Sequence, residues 1–163
     1  MSRRSATMTG FGVALALLVL VADQVTKWIA TQALGQGSVV ILPGYLDLVI
    51  VHNVGAAFGL FTGLPTTWRI GILAGVAIVA IVLMLHLLRQ AESYWSASAL
   101  ALVLGGALGN LMDRLRLGWV VDFVHVHWHD LSWPVFNLAD SAITLGIGIL
   151  LWEHFFHAGD AES

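Results

Sequence analysis

Two stretches decide the fold class: IGILAGVAIVAIVLMLHLL at residues 70–88 and SYWSASALALVLGGALGNLM at residues 93–112. Neither contains Asp, Glu, Lys or Arg, and each is close to the ~20 residues that an α-helix needs to cross a bilayer. Only the tetrapeptide RQAE at residues 89–92 separates them. The two stretches are therefore predicted to be antiparallel membrane-spanning helices joined by a short polar turn.

The composition of the whole chain agrees with a membrane location. Its 163 residues are 58% hydrophobic and 10% charged, whereas a soluble domain has roughly 25% charged residues. The net charge of −3, with no basic stripe, gives no reason to expect a nucleic-acid partner. The absence of cysteine excludes disulfides, thiolate nucleophiles and cysteine-ligated metals. The length predicts a single domain, residues 1–163.

Two further spans form only if ionisable side chains enter the membrane. Residues 10–22 reach spanning length only by continuing through Asp23 and Lys27, and residues 141–152 only by starting before Asp140. Arg3 and Arg4 also resemble the start of a secretory signal, but the poor cleavage pattern favours a retained first helix. The predicted spans are residues 10–33, 68–88, 93–112 and 135–156.

Long loops are predicted at residues 34–67 and 113–134, both on one face of the membrane. The first contains two β-prone runs around Pro43-Gly44, which predicts a small hairpin or sheet. The second contains three tryptophans, a residue typical of membrane interfaces. Four spans place both termini on the other face. Positive charges are balanced between the faces, although Arg3 and Arg4 favour a cytoplasmic N-terminus.

Small residues recur at four-residue spacing in two of the spans. Ala101, Gly105 and Gly109 follow this pattern, and so do Gly71 and Gly75. In lipid such spacing allows close contact between helices. We expect these glycines to serve packing.

Unusual polar residues gather at the loop-face ends of the predicted helices. They are Asp23, Lys27, Asn53, Asn110, Asp113, Arg114, Asp122, Asn137 and Asp140. Ionisable groups at membrane depth are costly and are by default functional candidates.

Several of these residues also have structural interpretations. Asp23 and Lys27 lie four apart and can form an ion pair on one helix face. Asn137 and Asp140 fit a helix-capping arrangement. Arg114 can pair with Asp113 or with lipid headgroups.

Asp122 has no such interpretation, because it lies between Val121 and Phe123 and needs a partner to be tolerated there. Two adjacent carboxylates share a proton, so Asp122 with Asp140 could activate water and polarise a scissile carbonyl. Asp113 remains an alternative to either member of this pair.

Two other chemistries compete with an aspartate pair. His125, His127 and His129 alternate along the chain and, with Asp122, could ligate zinc. Ser141 with Lys27 could form a nucleophile and base.

Two other functional classes also compete with an enzyme. A small proton-coupled transporter could use Asp23, Lys27 and Asp140 as a relay. It would need polar residues along a path through the bilayer, whereas this sequence gathers them near one face. A non-catalytic lipid-binding or scaffold protein would need no paired carboxylates.

Five segments together resemble lipoprotein signal peptidase, also called signal peptidase II. They are DQVTK at 23–27, NVGAAFG at 53–59, GGALGNLMDR at 105–114, VVDF at 120–123 and FNLADS at 136–141. Each segment alone is weakly specific, but five in the family's order on a four-span chain are highly specific. One departure is Val54, where the family often has a small polar residue.

This resemblance implies a bacterial inner-membrane aspartic endopeptidase. Such an enzyme removes the signal peptide from diacylglyceryl-modified prolipoproteins, cutting before the lipidated cysteine, and is the target of globomycin. The resemblance places the catalytic dyad on Asp122 and Asp140 and assigns supporting roles to the other polar residues named above. It implies four transmembrane helices with an extracytoplasmic β-cradle and a short amphipathic segment. We expect a monomer with cytoplasmic termini, membrane-lipid contacts, an active site near the extracytoplasmic face, and neither metal nor cofactor.

Overall fold

Four long helices and a small sheet make up the computed structural model, which describes residues 3–55, 63–129 and 131–157. The elements in chain order are α1 (Arg3–Leu34), β1 (Ser38–Leu42), β2 (Leu46–Asn53), α2 (Thr66–Leu88), α3 (Tyr94–Leu117), β3 (Val120–Trp128), β4 (Leu131–Ser132) and α4 (Leu138–His157). All four helices are long and apolar enough to cross a membrane. The four strands form one antiparallel sheet in the order β1-β2-β3-β4. The predicted fold class, four spans with a small sheet, is confirmed.

The short amphipathic segment is not found as a fifth helix within the three described ranges. Residues 56–59, the end of the second family motif, lie outside them.

The helices differ from the predicted spans mainly at their ends. α1 begins at Arg3, several residues before the predicted start at residue 10, and α3 continues to Leu117, past the predicted end at residue 112. α4 begins at Leu138 rather than near residue 135. Phe136 forms an antiparallel bridge with Val124 in β3, which keeps the chain extended up to this residue. The later start places Asn137 at the N-cap.

α3 is the most buried of the four helices, and small residues let its neighbours approach closely. A Cβ added to Gly105 would lie 2.6 Å from the carbonyl oxygen of Ala16 in α1, and one added to Gly106 would lie 2.5 Å from that of Ala139 in α4. The packing expected for the α3 glycines is therefore confirmed. The same prediction is wrong for Gly71 and Gly75, because a Cβ added to either glycine would meet no described atom within 4 Å.

The outward faces of the helices are apolar, as contact with lipid requires. Leu18 in α1 is 64% exposed and Val79 in α2 is 69% exposed. Side chains of this kind would be costly in water but are at no disadvantage in a hydrocarbon environment.

The two ends of the helix bundle differ. At one end Ser5 donates a hydrogen bond to the carbonyl oxygen of Arg89 (3.0 Å), and Ser96 donates one to Glu153 (2.6 Å). These bonds hold together the starts of α1 and α3 and the ends of α2 and α4. The sheet connects the helices at the opposite end, hereafter the sheet end.

The predicted hairpin is confirmed as β1 and β2. The Tyr45 N–H donates to the carbonyl oxygen of Leu42 (3.0 Å), and Gly44 has a φ of 81°. A proline followed by a glycine with positive φ is the signature of a type II turn, which this segment forms.

β3 is a nine-residue strand within the segment that was predicted to be a loop. Its valines favour extended structure, and it pairs with β2 so that Val51 lies opposite Asp122. Gly118, with a φ of 86°, ends α3 and donates its N–H to the carbonyl oxygen of Arg114. This left-handed residue turns the chain from α3 directly into β3.

We predict that Gly106→Ala destabilises the protein by about 1–3 kcal/mol, because the new methyl group overlaps the α4 backbone. Gly75→Ala is the matched control: its site is open, and alanine is the better helix former. Thermal unfolding of both variants in one detergent measures the difference. A Gly106→Ala protein as stable as the Gly75→Ala protein would contradict the packing described above.

Candidate active site

A cavity of about 480 Å³ opens at the sheet end, between the sheet and helices α3 and α4. Its polar lining consists of Asn53, Asn110, Arg114, Asp122, Asp140 and Thr144. Its apolar lining consists of Val51, Val120, Trp133, Pro134, Val135, Phe136 and Ile143. The cavity thus combines two carboxylates and a cation with a hydrophobic wall, a composition typical of ligand sites.

Asp122 projects from β3 into this cavity and is 1% exposed. Its carboxylate accepts hydrogen bonds from the side-chain amides of Asn53 (2.9 Å) and Asn137 (2.6 Å). The pKa of Asp122 is raised to about 6, mainly by burial, with a smaller upward contribution from the nearby charge of Asp140; the hydrogen bonds from Asn53 and Asn137 and the charge of Lys27 act in the opposite direction. Asp122 therefore holds a proton at higher pH than an ordinary aspartate does.

Asp140 reaches the same cavity from the first turn of α4. Its backbone N–H donates to the side-chain oxygen of Asn137 (2.9 Å), and the Asn137 N–H donates back to its carboxylate (3.3 Å). This reciprocal pair is a capping box, so the capping interpretation is confirmed. Asn110 donates a further hydrogen bond to the Asp140 carboxylate (2.8 Å).

Asn137 joins the two aspartates. It is fully buried, and its side-chain nitrogen lies 2.6 Å from Asp122 while its oxygen caps the Asp140 N–H. The same nitrogen lies 3.2 Å from the side-chain oxygen of Asn110 and 3.3 Å from the carbonyl oxygen of Val121. One amide thereby sets the position of β3 relative to the start of α4.

Lys27, the one lysine of the chain, is buried beneath the cavity. Its ammonium group lies 2.8 Å from both Asp23 and Asp113 and donates to the side-chain oxygen of Asn110 (3.1 Å). The predicted Asp23–Lys27 ion pair is confirmed and extended by a second carboxylate. Asn110 connects this charged group to Asp140.

The two carboxylates around Lys27 also fix neighbouring backbone segments. Asp23 accepts the N–H of Ala139 in the first turn of α4 (3.0 Å), and Asp113 accepts the N–H of Val121 in β3 (3.2 Å). Carboxylates at a helix N-terminus are stabilising. α1 and α3 thereby determine where the elements carrying Asp140 and Asp122 begin.

Arg114 is the one cation that lines the cavity within the described part of the chain. It donates to the carbonyl oxygens of Asn110 and Gly55, at 3.3 Å in each case. The structure has no ion pair between Arg114 and Asp113 in the ranges it describes, because Asp113 is bound to Lys27. Of the two structural interpretations offered for Arg114, the pair with Asp113 is therefore wrong.

This chain resembles known proteins over most of its length. The profile of the family described as signal peptidase (SPase) II matches residues 15–156. The chain belongs to the signal peptidase II family.

Curated relatives agree with membership of the signal peptidase II family. The lipoprotein signal peptidase of Teredinibacter turnerae is 43% identical over 154 residues, which cover 93% of this chain and 89% of that one. The lipoprotein signal peptidase of Acinetobacter baylyi is 42% identical over 144 residues, covering 87% and 80%. The resemblance stated from five sequence motifs is confirmed.

Two solved bacterial membrane enzyme structures have the same fold. One superposes with a TM-score of 0.75 at 29% identity, covering 90% of each chain. The other has a TM-score of 0.77 at 28% identity, covering 90% of this chain and 94% of that one. This member of the signal peptidase II family is accordingly a multi-span bacterial membrane protein.

All nine polar residues singled out in the sequence lie in two connected layers. The cavity layer contains Asn53, Asn110, Arg114, Asp122 and Asp140, with Asn137 behind them. The layer beneath contains Lys27 with its two carboxylates, including Asp113. Asp113 was an open alternative to either member of the aspartate pair, and the structure places it with Lys27 rather than on the cavity wall.

The Ser141 and Lys27 alternative finds no support in this geometry. Ser141 is exposed and donates its hydroxyl to the carbonyl oxygen of Asn137 (3.0 Å), while Lys27 is bound to two carboxylates. The alternative in which the three histidines and Asp122 ligate zinc is wrong. His125 and His127 contact Asp47 instead, because residues three apart in a strand face opposite sides.

Gln24 is the supporting residue that the sequence analysis missed. Its side-chain nitrogen donates to Asp113 (2.9 Å) and to the carbonyl oxygen of Gly109 (3.4 Å), and it lies 3.3 Å from Asp23. The available signal was its position inside a span, directly after Asp23. An uncharged amide in a hydrophobic helix also needs buried partners.

We predict that Lys27→Met destabilises the protein by about 3–5 kcal/mol, because it leaves two buried carboxylates without their cation. Arg116→Met is the control: Arg116 is exposed and makes one long hydrogen bond, to Gln24 (3.4 Å), so its loss costs about 0.5 kcal/mol or less. Thermal unfolding in detergent measures both.

The combined variant Asp23→Asn, Lys27→Met and Asp113→Asn removes all three charges together. It is expected to recover much of the stability lost in Lys27→Met. Equal stability of Lys27→Met and Arg116→Met would overturn the assignment of a buried ion network.

Proposed function

We propose that this chain is an aspartic endopeptidase that removes the signal peptide from diacylglyceryl-modified prolipoproteins, cutting before the lipidated cysteine. One observation carries the proposal: Asp122 and Asp140 line the same cavity and are both bound by Asn137. Membership of the signal peptidase II family supports the prolipoprotein substrate. The relatives that the chain resembles carry the name lipoprotein signal peptidase.

The two aspartates lie in different environments. Asp122 is buried with a raised pKa, which supports its role as the protonated partner. Asp140 is partly exposed at the N-terminus of α4, where the helix dipole stabilises negative charge. In this proposal Asp140 is the base and Asp122 is the acid.

The reaction follows from these roles. Asp140 takes a proton from a water molecule, whose oxygen attacks the scissile carbonyl carbon, while Asp122 donates its proton to the carbonyl oxygen. The product is a neutral gem-diol. A proton then passes from Asp140 to the peptide nitrogen, the C–N bond breaks, and a diol hydroxyl returns its proton to Asp122. The pair ends with one proton, as it began.

The rest of the cavity suits a lipidated peptide in an extended conformation. Arg114, Asn53 and Asn110 provide polar groups for the substrate backbone, and Trp133 and Phe136 provide an apolar wall. The signal helix approaches laterally within the bilayer, and the diacylglyceryl chains stay in lipid. A globomycin-type cyclic peptide would inhibit by occupying this same cavity.

We place the protein in the bacterial inner membrane with both termini in the cytoplasm and the aspartate pair near the extracytoplasmic face. Arg3 and Arg4, before the first span, support this orientation through the positive-inside rule. All the groups that the reaction requires come from one chain, so a monomer is sufficient.

A proton-coupled transporter fits less well. Such a protein needs ionisable groups at successive depths in the bilayer. The stretches at residues 5–22, 94–112 and 141–152 contain no Asp, Glu, Lys, Arg or His. A relay from Asp140 to the other side therefore has no intermediate carrier in these helices.

We predict that Asp122→Asn and Asp140→Asn each lower cleavage of a diacylated prolipoprotein by about 10²- to 10⁴-fold or more, because the acid or the base is lost. Glu92→Gln, an exposed carboxylate in the turn at the far end of the bundle, is expected to retain full activity. Purified variants in lipid bilayers are assayed by signal-peptide release, and mass spectrometry of the products locates the cut.

The same prolipoprotein without its lipid is the substrate control, and we expect it to resist cleavage. Normal turnover by either Asp→Asn variant would refute the aspartate pair. Equal cleavage of lipidated and unlipidated substrates would leave a peptidase but remove the lipid requirement.

A further inference from the structure

A second cluster of chemically active side chains lies on the sheet, apart from the aspartate cavity. It consists of Asp47 from β2 and His125 and His127 from β3, and its ligand atoms all lie within 4.8 Å of one another. Asp47 pairs directly opposite His125 in the sheet, and His127 follows two residues later on the same face. The register of two strands thus brings together three metal-ligand side chains.

The distances in this cluster match a metal site. Asp47 Oδ2 lies 3.1 Å from His127 Nε2 and 3.9 Å from His125 Nδ1. Tetrahedral coordination with bonds of ~2.0–2.1 Å separates neighbouring ligand atoms by about 3.3 Å. Small side-chain rotations therefore suffice to place one ion within bonding distance of all three atoms.

The two imidazoles lie side by side next to Asp47, and one of them has a further hydrogen-bond partner. Their rings are stacked, with centroids 4.9 Å apart, and one nitrogen of each ring lies within 4.8 Å of the other and of an Asp47 carboxylate oxygen. His125 Nε2 lies 2.7 Å from the hydroxyl oxygen of Ser132 in β4. With its proton on Nε2, His125 donates to Ser132 and leaves the Nδ1 lone pair free for a metal. Such outer hydrogen bonds are typical of metal-binding histidines.

We propose that Asp47, His125 and His127 bind one Zn²⁺ ion. Two imidazoles and one carboxylate are ligands that suit zinc, whereas Ca²⁺ and Mg²⁺ prefer sets made of oxygen atoms. Each ligand side chain is between 18% and 26% exposed, so the ion has a route from water and a fourth position for a water molecule. The three ligands come from β2 and β3, so the ion would cross-link these strands.

The ion would stabilise the sheet and would take no part in the proposed peptidase reaction. None of its three ligands lines the aspartate cavity. Asp122 lies on the opposite face of β3, three residues before His125. We therefore expect zinc to stiffen the strand that carries Asp122, independently of the peptidase activity proposed above.

The test is zinc titration of the full-length protein, without a polyhistidine tag and after chelator treatment, by isothermal titration calorimetry. We expect one Zn²⁺ per chain and a higher melting temperature with zinc than without. The isosteric Asp47→Asn variant and His127→Ala should each weaken binding by more than about 100-fold, and Ser132→Ala by about 10- to 100-fold.

His52→Ala is the matched control, because His52 lies on β2 of the same sheet but its ring packs against Trp119 instead of Asp47. It should bind zinc as tightly as the unchanged protein. Binding by Asp47→Asn and His127→Ala within twofold of the unchanged protein would overturn the proposal, and so would an equal loss in His52→Ala. Failure of the unchanged chain to bind zinc at a 1:1 ratio would overturn it as well.

Discussion

The structure depends on the buried ammonium group of Lys27. It lies 2.8 Å from Asp23 and from Asp113, in a protein otherwise dominated by apolar contacts. A charge is tolerated at this depth only when it is paired and hydrogen-bonded. Both carboxylates also accept backbone N–H groups, one from Ala139 in α4 and one from Val121 in β3. The ion network is therefore the point at which α1, α3, α4 and the sheet are joined.

The catalytic arrangement that we propose follows from this constraint. β3 and α4 are anchored at Val121 and Ala139, the residues directly before Asp122 and Asp140. Asn137 bridges the two aspartates. The anchoring leaves one aspartate enclosed by amides and the other at a helix N-terminus. Because their environments differ, one aspartate can act as the acid and the other as the base, and no third group is needed. The close packing at Gly106 holds α4 against α3, so the geometry is rigid where the chemistry requires it.

Much of this arrangement could be predicted from the sequence, because each feature has a local cause. The apolar runs next to Asp23 and Asp140 reach the length of a membrane span only if these residues lie within helices. Pro43-Gly44 specified the turn of the hairpin. The predictions failed where pairing was not local. β3 was predicted to be part of a loop, since alternating histidine and tryptophan also suit a membrane interface. The partner of its histidines, Asp47, is determined by strand register across a bulge, which one sequence does not reveal.

The central claim is that Asp122 and Asp140 share one site closely enough to influence each other's proton. Titration of the Asp122 carboxyl, followed by carbon NMR of protein labelled at aspartate and assigned with Asp122→Asn, tests this claim directly. The account predicts a pKa of about 6, which falls when Asp140→Asn removes the neighbouring negative charge. An Asp122 pKa that is unchanged or higher in Asp140→Asn would contradict the account.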